Sequence, residues 1–304
     1  MSAPWSSTAP GKIILAGEHA VVYGHLAVAA AVSLQTTVTL RARPGPSGLG
    51  PDTDAAFLAD PRLAGALGTV IPADGIEVCV SSELPVGCGM GSSAALAVAL
   101  VRALAVMEGV SLDADAVFER AFPIERAFHG TPSGIDHAVS ARGGVVAYRR
   151  PPDSAGPPQM SPIVLPRPLT LVVVDTGTPG DTASMVRAVR QRREANAHVA
   201  AALEEIGSIA EAVADTLPGG DVRALGALLD ANHAVLQRIG VSTPRLDVVC
   251  AILRSNGALG AKLAGAGGGG VCFGLADGPT MAARLQESVA PLGMHAFTVG
   301  IGAR

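Results

Sequence analysis

The 304-residue sequence predicts two α+β lobes, residues 1–165 and 166–304. Short β-prone runs alternate with helical stretches in both halves, a pattern of mixed layers rather than of a bundle or a sandwich. Between the halves lies PPDSAGPPQMSPIVLPRP, residues 151–168, proline-dense and weakly patterned, which reads as a linker. Apolar residues make up 49% of the chain and aromatics only 3%, so the core must be built from Ala, Val, Leu and Ile, with many tight turns among the 37 glycines.

In chain order, KIILAG, LAVAAAV, TTVTLRAR and GIEVCVSS read as strands punctuated by Gly and Pro. Pro44 to Asp74, rich in Gly, Pro, Ala and Asp, reads as loops with a short helix. Ser92–Glu108 is a helix by length and by its Ala and Leu content, and Asp113–Phe128 is a second, begun by the cap-like SLDAD. TPSGIDHAVSARGG begins as a turn, and GGVVAYRR follows as a strand. Beyond the linker, LTLVVVDTG is a buried strand and Thr182 to about Asp215 one long amphipathic helix. Asp221–Ile239 and Pro244–Asn256 are two more helices. GGGVCFGLA is then a strand, Thr280–Ala290 a helix and HAFTVGI a closing strand.

The net charge of −4, with no long basic run, argues against nucleic acid or an anionic membrane as partner. MSAPWSSTAPGK has neither a basic start nor an apolar stretch, so no signal peptide is expected. The apolar run after Ser93 is broken by Arg102 and is too short to span a bilayer. Cys79, Cys88, Cys250 and Cys272 are scattered without CxxC spacing and read as reduced thiols rather than metal ligands or disulfides. A soluble, cytoplasmic protein is expected. Lys12 and Lys262 are its only lysines, each beside a glycine-containing loop.

Residues 85–100, PVGCGMGSSAALAVAL, form a glycine loop opening onto a helix. The free N–H groups of a first helical turn and the positive end of the helix dipole suit phosphate. It is no Walker A loop, since Met90 and Gly91 stand before Ser92 where a lysine is needed. Nor is it a Rossmann fingerprint, because the position of the third glycine is Ser92. KLAGAGGGGVCF does match GxGxxG from Gly265 to Gly270, but it follows a helical stretch and opens a strand, the reverse of the Rossmann order. Alone it reads equally well as a turn that lets two backbones approach. APGKIILAGEHAVVYG, residues 9–24, places Lys12, Glu18 and His19 around a short strand.

In this order, PGKIILAGEHAVVYG, LPVGCGMGSSAA and KLAGAGGGG resemble the three motifs of the GHMP small-molecule kinases across residues 9–270. GEHAVVYG and ERAFHGTPSGIDHAVSARGG, residues 125–144, are most similar to the members that phosphorylate mevalonate, an isoprenoid precursor. The resemblance covers nearly the whole chain. It implies a ribosomal-protein-S5-like N-terminal lobe, a ferredoxin-like C-terminal lobe and an active site in the cleft between them. It further implies transfer of the ATP γ-phosphate to the C5 hydroxyl of mevalonate with Mg²⁺, in a protein of a family that is often homodimeric.

The same resemblance assigns roles. Pro85, Gly87, Gly89, Met90, Gly91, Ser92, Ser93 and Ala94 wrap the phosphates of ATP, with charge compensation supplied from outside the loop. Ser93 and Glu125 fall on Mg²⁺, with Ser92 the neighbouring alternative to Ser93. Asp136 matches the catalytic aspartate, taking the hydroxyl proton, a contribution of about 10² to 10⁴ in rate. Lys12 matches the lysine that pairs with it. Glu18, His19 and Ser133 match positions lining the acceptor pocket, Thr182 a threonine near phosphates and substrate, and Gly267 belongs to the tract shaping that side of the cleft. Without the resemblance, Ser92 and Ser93 would be helix caps, Glu125 a surface carboxylate and Asp136 a turn residue.

Two positions depart from the family pattern. His137 follows the catalytic aspartate where Asn is common, and Gly180 stands two before Thr182 where eukaryotic members often carry a basic residue. The substrate carboxylate then needs another partner, with Arg142 and Arg187 as candidates. A family member acting on a sugar or heptose phosphate is the alternative; PSGIDH and GEHAVVYG speak against it. A phosphomevalonate kinase would lack the Lys–Asp pair. A non-catalytic metabolite sensor would have no need of Lys12, Ser93, Glu125 and Asp136 together.

Overall fold

The computed structural model describes residues 3–85, 87–129, 134–151 and 157–302. Strands and helices intermix along the chain as the sequence predicts. They are β1 (Trp5–Ala16), β2 (Leu26–Pro46), β3 (Gly48–Leu49), α1 (Ala55–Leu58), α2 (Leu63–Leu67), β4 (Asp74–Ser82), α3 (Ser92–Glu108), α4 (Ala114–His129), α5 (Ile135–Arg142), β5 (Val145–Arg149) and β6 (Gln159–Ile163). There follow β7 (Leu169–Asp175), α6 (Thr182–Ala195), α7 (Ala197–Thr216), α8 (Val222–Arg238), α9 (Pro244–Ser255), β8 (Ala261–Leu263), β9 (Val271–Ala276), α10 (Pro279–Val289) and β10 (His295–Ile301). The chain forms two compact units: Met1–Lys12 with Leu34–Val86 and Met90–Gly143, and Ile13–Ser33 with Gly87–Gly89 and Gly144–Arg304.

In the first unit the second half of β2 pairs antiparallel with β4, from Thr36↔Ser82 to Ala42↔Ile76. Period-2 alternation turns Val38 and Leu40 inward opposite Val80 and Val78, all fully buried. Helix α3 is buried almost all round from Ala94 to Ala105, because α4 and α5 both pack on it and its alanines permit close approach. Asp113 caps α4 by accepting from the Ala116 N–H at 2.8 Å.

In the second unit β10, β7, β9 and β8 form an antiparallel ladder in that order. Its centre is LTLVVVD, with Leu171 to Val174 buried on both faces. Here the first half of β2 pairs with β5 from Leu26↔Arg149 to Ala30↔Val145.

Several elements differ from the sequence reading. The long helix from Thr182 is two, broken at Asn196, whose extended backbone (φ −148°) and side-chain acceptor bond from His198 N–H cap α7. LAVAAAV and TTVTLRAR are one 21-residue strand, since no Gly or Pro separates them. The expected linker contains β6, where Pro162 lies opposite Val146. That placement is tolerated because, among the described residues, β6 pairs with β5 alone and its other edge needs no N–H from the proline. IDHAVSAR is helix α5 rather than a continuing turn, started by Gly134 at φ 93°. The glycine tract 265–270 follows strand β8, not a helix, and joins it to β9 as a hairpin.

Helix α8 lies against the entry to β8, where Gly226 and Gly260 meet. A Cβ on Gly226 would sit 2.1 Å from the Leu259 carbonyl oxygen. Gly226→Ala is therefore expected to destabilise by about 1–3 kcal/mol. Thermal unfolding checks this; an unchanged midpoint would mean that α8 backs away freely.

Candidate active site

The first unit gathers four of the expected residues. Lys12 sits on β1, and its backbone N–H donates to the Met90 carbonyl at 2.9 Å, which ties the strand to the glycine loop. Gly91 adopts φ 75°, and a Cβ there would meet Lys12 Cγ at 2.9 Å, so glycine is needed both for the backbone and to let the lysine pass. Lys12 Nζ then reaches Asp136 Oδ1 at 3.2 Å. Asp136 lies in the first turn of α5 with its side chain 33% exposed, whereas that of Lys12 is 5% exposed. This is an accessible carboxylate beside a buried cation.

Glu125 on α4 is buried and accepts a hydrogen bond from Ser93. Burial, reinforced by the nearby charge of Asp136, pushes its carboxyl up to about 8, against the opposing effects of Ser93 and Lys12. Its Oε1 is buried and has no hydrogen-bond partner among the described residues. Glycine and serine open α3: Gly91 precedes it without a side-chain cap, and Ser92, Ser93 and Ala94 form its first turn. Gly87 and Gly89 are exposed, Pro85 half-buried and Met90 buried. Within the second unit, Cys88 of this loop donates its thiol hydrogen to Asp175 Oδ2 at 3.1 Å. Burial and the neighbouring carboxylate push that thiol up to about 12, so it carries no thiolate beside the loop.

The second unit gathers another set. Glu18 and His19 are buried in the turn after β1. Glu18 accepts from Lys262 Nζ and, at 2.9 Å, from Asn232 Nδ2. His19 Nε2 lies 2.9 Å from the Ala266 carbonyl; a carbonyl only accepts, so Nε2 carries the proton and Nδ1 the lone pair. Burial lowers the His19 pKa and favours this neutral ring. Gly267 is in the same hairpin as Ala266, where Gly268 N–H donates to Val241 O at 2.8 Å and Gly270 N–H to Thr178 O at 2.7 Å. Thr182 is exposed at the first turn of α6, whose cap Asp181 accepts from Ser184 N–H. Ser133 lies outside the described residues.

The two departures have plain structural readings. His137 is fully buried, stacks on Phe118 with ring centroids 4.4 Å apart and, among the described residues, has no hydrogen-bond partner at either nitrogen. Burial lowers it to about 4, so it is a neutral packing residue. A side chain at Gly180 would meet only ordinary contacts, the nearest being Gly267 O at 3.5 Å, so packing does not require the glycine. Arg142 pairs with Asp115 and stacks on Phe118, and Arg187 is exposed on α6. Sequence reasoning missed Asn232 and Asp175, which no local motif marks. Lys262 was marked only by the scarcity of lysine. Among the described residues no helix is long and apolar enough to cross a membrane, and no group of three or more His, Cys, Asp or Glu side chains could hold a metal.

The model of the GHMP kinases N-terminal domain matches residues 58–144, and that of the GHMP kinases C-terminal domain residues 193–292. A mevalonate kinase of Pyrococcus furiosus is 35% identical over 89% of this chain and 88% of its own. One from Aeropyrum pernix is 34% identical over 97% and 95%. The crystal structure of L. major mevalonate kinase in complex with R-mevalonate superposes with a TM-score of 0.88 at 29% identity, covering 99% of this chain and 96% of that one. The chain belongs to the GHMP kinase family. Membership of that kinase family makes ATP the co-substrate.

Proposed function

We propose that this kinase transfers the γ-phosphoryl group of ATP to the C5 hydroxyl of mevalonate. The observation that carries the reading is the Lys12–Asp136 pair, 3.2 Å apart, sharing a cluster with Glu125 and Ser93 at the head of α3. The relatives named mevalonate kinase supply the acceptor. In the reaction the C5 oxygen attacks the γ-phosphorus, the bond from that phosphorus to the β,γ-bridging oxygen breaks, and ADP leaves. Asp136 accepts the proton of the hydroxyl, being the exposed carboxylate of the cluster. Lys12 orients Asp136 and attracts the negative charge gathering on the transferring oxygens. Pro85 to Ala94 bind the phosphates, the uncapped first turn of α3 offering N–H groups to oxygen. Glu18, His19, Ser133, Thr182 and Gly267 serve the acceptor, with the neutral ring of His19 offering a lone pair to a hydroxyl.

The residues present fit Mg²⁺. Glu125 brings a buried carboxyl group, one oxygen of which has no partner among the described residues, beside the Ser93 hydroxyl, and Mg²⁺ takes few protein oxygens, one or two of them carboxylate. Glu125 and Ser93 would hold it, and it would neutralise phosphate charge. Lys12→Met is expected to lower kcat at least about 10²-fold, with the KM for ATP little changed, since it removes charge developed in the transition state. An effect confined to ATP affinity would contradict the role. The reading itself is tested by ³¹P and ¹³C NMR of the product from mevalonate and Mg·ATP. A phosphomonoester coupled to C5 is expected, and a product phosphorylated at the tertiary hydroxyl, or none, would overturn it.

A further inference from the structure

Two consecutive residues of one turn are tied to one hairpin. Glu18 is held by Lys262, at the start of the β8–β9 hairpin, and His19 by Ala266, four positions further along it. Lys262 is fully buried, with Glu18 and His19 nearly so. Its ammonium is fully engaged: it donates to Glu18 and, at 2.8 Å, to Leu263 O, and it lies 5.4 Å from the centroid of Phe273, its cross-strand neighbour. Asn232 of α8 completes Glu18 from another side.

His19 has φ 62°, the one positive φ of a non-glycine among the described residues. Such a conformation persists only where the surroundings over-determine it. Here the Ala20 N–H donates to Glu18 O at 2.7 Å, which makes His19 the centre of a γ-turn. The side-chain ties at Glu18 and at the His19 ring anchor that turn to the hairpin, the Glu18–Lys262 pair being the stronger because it is charge-assisted. Among the described residues, the direct partners of Lys262 are Glu18 in the turn and Leu263 and Phe273 in the hairpin, so its first effect falls on the joint between those two elements.

We propose that Lys262 is a positioning residue for the acceptor side of the reaction: by holding Glu18 it fixes the turn and the hairpin as one body and so sets the ring of His19. The proposal rests on the reading of His19 as an acceptor-pocket residue. Removing Lys262 strands a buried carboxylate, which can prevent folding. The double variant Glu18→Gln/Lys262→Met leaves no unpaired charge and keeps the test available.

The experiment measures steady-state kinetics and histidine-selective ¹H–¹⁵N spectra on the wild type, Lys262→Met, Glu18→Gln and the double variant. The His19 signal is assigned by its loss in His19→Gln. Lys262→Met is expected to raise the KM for mevalonate about ten-fold, the size of one lost charge-assisted hydrogen bond, while the KM for ATP changes less than about two-fold. The double variant should be no worse than Lys262→Met, and the His19 Nε2–H pattern should shift or average out in both. An unchanged His19 signal in the folded double variant would overturn the proposal. So would single effects that multiply in the double variant, or an equal rise in both KM values. A wild type inactive on mevalonate whose His19 signal still responds to the variants would overturn the functional reading while supporting the positioning by Lys262.

Discussion

Asp136→Asn is expected to lose about 10² to 10⁴ of turnover while still binding ATP. The amide is nearly isosteric and keeps an oxygen facing Lys12, so the first turn of α5 and the packing of the cluster persist. What disappears is the proton acceptor. The loss therefore falls on kcat and on kcat/KM for the acceptor, with ATP affinity close to that of the wild type. Rapid-quench measurement of the phosphoryl-transfer step, alongside ATP binding by calorimetry, separates the two. Near-normal transfer would remove Asp136 as the base.

Glu125→Gln is expected to act in two ways. In ligand-free protein the folded carboxyl holds its proton up to about 8, because burial and then the Asp136 charge disfavour the anion, whereas the unfolded chain releases it near 4.5. Between these values the folded state binds more protons than the unfolded one, so this group makes stability fall as pH rises. Glutamine has no such proton to lose. The unfolding midpoint of Glu125→Gln should therefore gain on that of the wild type as pH rises from about 5 to about 8, and the gap should level off above. Parallel curves would place the group in a more polar setting than its burial implies. With substrates present, the variant should need at least about ten-fold more Mg²⁺, taking the effect of an outer-sphere partner as the floor for a direct ligand. An unchanged Mg²⁺ titration would take Glu125 off the metal.

What the sequence revealed depends on the range of the interaction involved. The glycine loop and α3 were legible because a turn-rich run opening onto alanines and leucines is a local signal, as were the buried strand LTLVVVD and the cap at Asp113. The break at Asn196 was not, since a single residue whose side chain competes with the helix leaves the apolar period nearly intact. Strand β6 was hidden because its identity comes from pairing with β5 rather than from its own proline-containing residues. The cluster of Lys12, Ser93, Glu125 and Asp136 was reachable only through the assembled motifs, as each residue alone had an ordinary reading. Glu18 and Lys262 are 244 positions apart, so no spacing rule could join them. The mutual scarcity of lysine was the only trace.

The most direct test of the account is ADP release from Mg·ATP with mevalonate, phosphomevalonate, galactose, homoserine and a heptose 7-phosphate assayed in parallel. Strong turnover is expected on mevalonate, with the other acceptors lower in kcat/KM by orders of magnitude. Preferential turnover on another acceptor would keep the Lys12–Asp136 chemistry and contradict the acceptor assignment. Failure on every acceptor, with ATP still bound, would contradict the account as a whole.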